Sequence, residues 1–363
     1  MRKPNLSLSS LNLSLTALLN RPRLAVGVDI GSHAVKVCEF SNHGQGVRQL
    51  TKLGSARLPE GAVADGILQD PNAVGKTIAT LFQNLQIRNK KVAISMSGYS
   101  VIVKKINLAA MSDDELAKHI QAEAEQYIPF DINDVYLDFQ DLKTSAERTD
   151  VMLAAAKREV VDAYLAMLNG IGLQPVVVDV DAFALENSFA HNGGAEGNVA
   201  LVDIGASKMS INILARGSSL LARDIVIGSR QITEQIESQC GLSAEEAEAI
   251  KIGQIAPGDQ LPQVEEIFAK HCTQWILEIK KAFDFYQASN ADQGIDRLLL
   301  SGGGARIKGL TQLLTEETGV PTEICDPFSV VRIDPNAIDQ DYVRYLAPEM
   351  AIAAGLAIRT TEI

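Results

Sequence analysis

The sequence predicts an α/β fold built from two related halves that face each other across a cleft. Three observations predict it. The tetrad Val28-Asp29-Ile30-Gly31 returns as Val202-Asp203-Ile204-Gly205. Each copy follows an apolar, strand-like run and precedes alternating apolar positions. A third buried run, Leu298-Leu299-Leu300, empties into Ser301-Gly302-Gly303-Gly304 ahead of a helix expected at 308–317. With 363 residues the chain exceeds a typical domain of about 150 and has room for two cores.

Each tetrad reads as the turn of a β-hairpin. Residues 24–28 lead into the first, and apolar positions resume at Val35, Val37 and Phe40; residues 199–202 lead into the second, with Met209, Ile211 and Ile213 beyond it. Gly31 and Gly205 sit where the chain reverses, and a turn without Cβ lets backbone N–H groups approach an anion. The adjacent carboxylates would repel a phosphate directly. They fit instead the water shell of a Mg²⁺ lying between them, because Mg²⁺ keeps most of its waters. A single Asp-Gly turn would be unremarkable in any loop; two copies, with the glycine-rich turn after Leu300, point to one phosphate ligand gripped from both halves.

Composition narrows the alternatives. A net charge of -12 argues against a general binder of nucleic acid or anionic lipid, which needs clustered Lys and Arg. Cys38, Cys240, Cys272 and Cys325 form no CxxC pair, so neither zinc ligation nor a redox motif is supported, and a reducing cytoplasm fits best. No run approaches the roughly 18 apolar residues of a membrane span. Residues 1–23 space Leu8, Leu11, Leu15, Leu18 and Leu19 between flanking Arg and Lys. They read either as a mobile tail or as an amphipathic segment that contacts a membrane or partner, and not as a signal peptide.

Taken together, the two Asp-Ile-Gly turns and the Ser301–Ala305 turn resemble the nucleotide site of the actin, Hsp70 and sugar-kinase superfamily, whose ribonuclease H-like fold is duplicated into two lobes. Two connecting helices of that superfamily are also matched, by Val176 to Leu185 and by Pro348 to Ala357. The resemblance implies ATP and Mg²⁺ as ligands. It assigns Asp29 and Asp203 to the water-bound metal, and Gly31, Ser32, His33 and Lys36 to the first phosphate loop. Gly205, Ala206 and Ser207, with Gly228 nearby, fall to the second; Gly302, Gly303, Gly304 and Arg306 fall to the adenosine loop. Lys36 follows its aspartate by seven residues, as in actin. Asp181 stands where relatives carry a Glu or Gln that orients water; with Asp203 it would serve any catalysis, and its shorter side chain implies hydrolysis that is slow at most. Glu278 and Lys281 match the spacing of the Glu and Lys that flank adenosine in Hsp70-like members, and fit equally an exposed i,i+3 ion pair.

The segment 99–170 separates members of the superfamily. It opens with the strand Lys91–Met96 and has a β-α-β-β-α order. Ser112 and Glu115 form a capping box. The helix they start stacks Leu116, Ile120, Ala124 and Tyr127 on one face and stops at Pro129, with strands at 135–142 and 151–156 and a helix at 160–168 after it. This arrangement resembles the subdomain inserted in FtsA and in the PilM family of type IV pilus assembly proteins. Glu123 to Phe130, Gly228 to Thr233 and Asp179 to Leu185 are closest to the PilM family. A helix at 243–252, with a second capping box at Ser243 and Glu246, reads as structural only.

The domains expected are a tail at 1–23, a first-lobe core at 24–98 and 171–198, the insertion at 99–170, and a second lobe at 199–363 whose last helix, about 347–360, packs back between lobes. The PilM resemblance implies a cytoplasmic, ATP-binding scaffold at the inner face of the membrane. It would hold the N-terminal cytoplasmic tail of PilN beside Tyr127, Ile128, Pro129 and Phe130, residues that are read equally well as insertion core. Other pilus components and self-association stay open. The chain ends soon after the second connecting helix, without the C-terminal helix of FtsA or the substrate domain of Hsp70. An FtsA-like or other cytoskeletal actin homologue and a small-molecule kinase of the same fold are the alternatives.

Overall fold

The computed structural model describes residues 23–43, 47–142, 147–194, 197–290 and 293–361. The N-terminal stretch read as a tail or amphipathic segment falls almost wholly outside them.

The chain enters the first lobe through β1 (Val26–Ile30), β2 (Ala34–Asn42) and β3 (Arg48–Arg57). The small hairpin β4 (Val63–Ala64) and β5 (Ile67–Leu68), helix α1 (Pro71–Asn84) and β6 (Lys91–Met96) follow. An inserted unit comprises β7 (Val101–Ala109), α2 (Asp113–Glu123), β8 (Val135–Asp141) and β9 (Arg148–Lys157). Helix α3 (Arg158–Gly170), β10 (Gln174–Val180) and α4 (Asp181–His191) return to the lobe. The second lobe holds β11 (Asn198–Ile204), β12 (Met209–Ala215), β13 (Ser218–Ile225), α5 (Arg230–Cys240), α6 (Ala244–Lys251), α7 (Leu261–Ser289), β14 (Arg297–Ser301), α8 (Leu310–Thr318) and β15 (Thr322–Ile324). After it come β16 (Arg332–Ile333), α9 (Gln340–Leu346) and α10 (Ala351–Ala357).

Strand order shows the duplication directly. The first-lobe sheet runs β10-β6-β1-β2-β3-β16 and the second runs β13-β12-β11-β14-β15. In each, a strand ending in Asp-Ile pairs antiparallel with its successor (β1 with β2, β11 with β12) and parallel on its other side (with β6 and β14). β1 and β11 are therefore central, and a strand covered on both faces needs apolar residues at successive positions, as Val199 to Val202 supply. Both capping boxes form: Ser112 starts α2 with Glu115, and Ser243 starts α6 with Glu246.

The lobes are joined where α10 packs on α4 and β1. Every residue of α10 is buried. A Cβ at Gly355 would lie 1.7 Å from the carbonyl oxygen of Ala184, so the small residues expected here are what lets the two connecting helices touch.

The structure differs from the sequence reading in several places, among them the helix expected to run to Pro129, which ends at Glu123 and gives way to a 3₁₀ turn at Ala124–Gln126. The β-α-β-β-α unit does not open with Lys91–Met96: that strand, β6, stays in the first-lobe sheet within the 24–98 bounds, and the insertion's first strand is β7, in a three-stranded sheet ordered β7-β9-β8. Helix α3 buries Val160, Val161, Tyr164 and Leu168 in the first-lobe core and not in the insertion, because its apolar face meets α1 and the sheet. More than the last helix leaves the second lobe: β16 pairs with β3, and Phe328, Val343 and Leu346 pack with Phe40 and Leu50. The helix expected from 308 begins at Leu310, since Gly303–Arg306 is a 3₁₀ turn.

In the insertion, Ile128 is core with Leu116, Ile120 and Leu153, and Tyr127 and Phe130 pack partly against them, with the Lys157 ammonium over the Phe130 ring. Pro129 is exposed. No helix among the described residues is long and apolar enough to cross a membrane.

Candidate functional site

A cavity of about 600 Å³ opens between the lobes, and both Asp-Ile-Gly turns line it. Each hairpin closes in the same way. The Gly31 N–H donates to the Ala34 carbonyl at 3.1 Å, and the Gly205 N–H to the Lys208 carbonyl at 2.9 Å. Between those bonds, the N–H groups of Ser32, His33, Ala206 and Ser207 make no hydrogen bond among the described residues, and all four residues line the cavity. Two facing turns with free amides form concave donor sites of the kind that hold phosphate oxygens.

The turns carry charge as well. Asp29 and Lys36, opposite each other across β1 and β2, form an ion pair at 2.9 Å. Burial raises the Asp29 carboxyl above its ordinary value in spite of that lysine. For Lys36, burial alone would favour the neutral amine, but Asp29 and Glu349 together hold it charged to above the usual lysine range. Asp203 accepts from Ser301 Oγ at 2.8 Å, and burial pushes its carboxyl up to about 6. The described residues include no group of three or more His, Cys, Asp or Glu that could ligate a metal directly. Two buried carboxylates in one cavity, both raised, are a donor set for a cation that keeps its own waters.

Asp181, the first residue of α4, also faces the cavity. Its carboxylate accepts from Ser95 Oγ at 2.5 Å and pairs with Lys208 Nζ at 2.7 Å. Lys208 additionally reaches Asp224 Oδ2 at 3.3 Å. Burial disfavours its ammonium, yet Asp181 and Asp224 raise it above the ordinary lysine value. Two more contacts bridge the cleft: the Arg230 guanidinium donates to the Ser32 carbonyl at 2.9 Å, and the Gly98 N–H donates to Asp224 Oδ2 at 2.7 Å.

Of the residues singled out from the sequence, Asp29, Gly31, Ser32, His33, Lys36, Asp181, Asp203, Gly205, Ala206, Ser207, Gly302, Gly303 and Arg306 line this one cavity. Gly228 and Gly304 lie just behind it. A Cβ at Gly228 would sit 2.2 Å from the Ala206 carbonyl oxygen, and one at Gly304 2.5 Å from Ile204 Cγ2, so both glycines let the turns seat closely. Arg306 is ion-paired with Glu349 and stacked over Tyr345.

Glu278 and Lys281 are not brought to the cavity. They pair with each other at 2.6 Å on α7, with the Lys281 side chain 63% exposed, the simple surface pair that their spacing also allowed. A second Glu-x-x-Lys, Glu248 and Lys251 on α6, lines the cavity instead, on a helix whose sequence reads as structural only. Lys251 is 5% exposed and bonded to Glu248 at 2.7 Å, and Glu248 accepts from Thr233 Oγ1. Burial lowers the Lys251 ammonium; Glu248 stays below the ordinary glutamate value, its burial outweighed by Lys251 and Thr233. Lys208, Asp224, Arg230, Glu248 and Lys251 are among the lining residues that sequence reasoning missed. Lys208 could have been found, as it ends the second turn directly after Ser207.

Comparison with known proteins agrees with the fold. The family model described as type IV pilus assembly protein PilM matches residues 27–361. A solved PilM–PilN type IV pilus biogenesis complex is similar at 28% identity and a TM-score of 0.83, covering 94% of this chain and all of that one. The ethanolamine utilization protein EutJ from Carboxydothermus hydrogenoformans shares the fold at 15% identity and a TM-score of 0.55, covering 93% of this chain and 90% of its own. So does MreB5 of Spiroplasma citri, solved with AMPPNP, at 13% identity and a TM-score of 0.51, covering 93% and 95%.

Proposed function

The chain belongs to the PilM family of type IV pilus assembly proteins, and on that premise we propose that it is an ATP-binding scaffold of the pilus assembly machinery which holds the N-terminal cytoplasmic tail of a PilN-type membrane protein in a nucleotide-sensitive way. The observation that carries the nucleotide half is the pairing of the two Asp-Ile-Gly turns across one cavity, with their amides free. The partner half is supported by the likeness, over nearly the whole chain, to a PilM–PilN complex.

The turn amides at 32–33 and 206–207 would receive phosphate oxygens, with Lys36 beside them as a fixed positive charge. Asp29 and Asp203 would hold Mg²⁺ through its waters, and the ion would supply positive charge between phosphate and carboxylates. Glu248 and Lys251, in place of Glu278 and Lys281, are the pair suited to flank the nucleoside, with Gly302, Gly303 and Arg306 opposite. Asp181 is held by Ser95 and Lys208, which leaves its carboxylate poorly free to orient water; hydrolysis would therefore be slow at most, and binding is the function. The tail would lie as an extended segment between first lobe and insertion, near Tyr127, Pro129 and Phe130 at the edge of the insertion core. The protein would work in the cytoplasm, at the membrane through its partner.

Calorimetry tests both halves. ATP with Mg²⁺ should bind the wild-type protein and bind Asp29→Ala at least about tenfold more weakly, a loss of about 1.4 kcal/mol. A synthetic PilN tail peptide should bind with an affinity that changes when ATP is added. Failure of the peptide to bind in either state would overturn the scaffold reading.

A further inference from the structure

We infer that Asp224 is the strut through which the nucleotide cleft acts on the inserted unit, with Lys208 as the charge that reports on the cleft. Asp224 stands near the end of the second-lobe strand β13, and its carboxylate is fully engaged. Oδ1 accepts from Ser210 Oγ at 2.6 Å, and Oδ2 accepts from the Gly98 N–H at 2.7 Å and faces Lys208 Nζ at 3.3 Å. Gly98 opens the 3₁₀ turn Gly98–Ser100, which runs straight into β7, the first strand of the insertion, and β13 packs against β7.

That turn has little freedom. Gly98 has φ +77°, and a Cβ there would lie 2.9 Å from the Asp65 carbonyl oxygen, so the residue must be glycine and its N–H is held toward the second lobe. A bond from a backbone N–H to a carboxylate is charge-assisted, and its strength follows the charge left on the acceptor. Lys208 sets that charge. Its ammonium is shared between Asp224 and Asp181, and it belongs to the hairpin turn whose amides face the cavity. A phosphate entering between the turns competes for the same ammonium. Drawing it off leaves the full Asp224 charge on the Gly98 N–H and tightens the second lobe on the root of the insertion.

The inference rests on the reading that the cleft takes a nucleotide and the insertion takes the partner; it names the link between them, which linkage requires to act in both directions. The test measures tail-peptide affinity with and without saturating Mg²⁺·ATP in wild type, Asp224→Ala and Asp224→Asn, reading nucleotide occupancy in the same samples and amide hydrogen exchange over residues 97–103. Wild type should show a ratio of about fivefold or more between the two states. Asp224→Ala should bring the ratio to near one and speed exchange at 97–103 in both states. Asp224→Asn keeps an acceptor for Gly98 without pairing to Lys208, so it should keep slow exchange yet lose the nucleotide response. A wild-type ratio in Asp224→Ala, or in Asp224→Asn should the alanine variant not fold, overturns the inference. A wild-type protein whose tail affinity ignores nucleotide overturns the coupling and the nucleotide-sensitive reading together, while peptide binding alone would keep the scaffold assignment.

Discussion

Lys208 Nζ lies 2.7 Å from Asp181 Oδ2, so the second-lobe turn is ion-paired with the first residue of the helix that links the lobes. The Asp181 side chain is only 10% exposed. Removing Lys208 strands the Asp181 carboxylate and takes a partner from Asp224 as well, and with Lys208 itself 24% exposed the cost is discounted from the fully buried case to about 2 kcal/mol. Lys208→Met should therefore lower unfolding stability by that amount, and adding Asp181→Asn should recover part of it. Denaturant melts of the two variants check this; a single mutant as stable as wild type would remove the pair from the lobe contact.

Asp203 gives a pH dependence with a definite sign. Its folded-state value, about 6, lies above the ordinary 3.8, so between those values the folded protein holds a proton that the unfolded chain has released. Stability falls as pH rises through this window, and above it the ionised, buried carboxylate costs about 3 kcal/mol in the ligand-free protein. Asp203→Asn should be more stable than wild type at pH 7.5 without ligand, with the difference shrinking toward pH 4. Urea melts at the two pH values measure it, and a variant that is less stable at pH 7.5 would contradict the burial argument.

Two Glu-x-x-Lys pairs have the spacing proposed to flank a nucleoside, and the structure brings Glu248 and Lys251 into the cavity while leaving Glu278 and Lys281 on the surface of α7. Glu248→Gln should weaken nucleotide binding about tenfold, the scale of one charge-assisted hydrogen bond. Glu278→Gln should leave affinity within about twofold of wild type, as a surface i,i+3 pair contributes only a few tenths of a kcal/mol. Competition with a fluorescent ATP analogue separates the two, and the reverse order of effects would return the nucleoside to α7.

The contact of α4 with α10 has no slack. Gly355→Ala would place a methyl 1.7 Å from the Ala184 carbonyl oxygen, and overpacking of this kind costs about 3 kcal/mol because backbone must move. Gly294→Ala, which meets open space, is the control and should change stability little. Equal melting temperatures for the two variants would mean that the helices can part freely.

What the sequence made legible was local. Both hairpin turns, the glycine turn after β14 and the two capping boxes are each written in a handful of adjacent residues, and each formed as read. What it hid was long-range. Asp224 meets Gly98 from 126 residues away and Lys208 meets Asp181 from 27, and no local pattern marks either pairing. The apolar stripe of α3 announced a buried face but not which sheet would cover it. The two Glu-x-x-Lys pairs share one spacing, so only the path of the chain could choose between α6 and α7.

If both turns grip one metal-bound nucleotide, calorimetric titration of ATP in Mg²⁺ and in EDTA, on wild type and Asp203→Ala, will show it. Binding should be saturable and one-to-one in Mg²⁺ and should weaken at least about tenfold on chelation or on loss of the second-turn carboxylate. Binding of equal strength in all four conditions, or no binding in any, would contradict it.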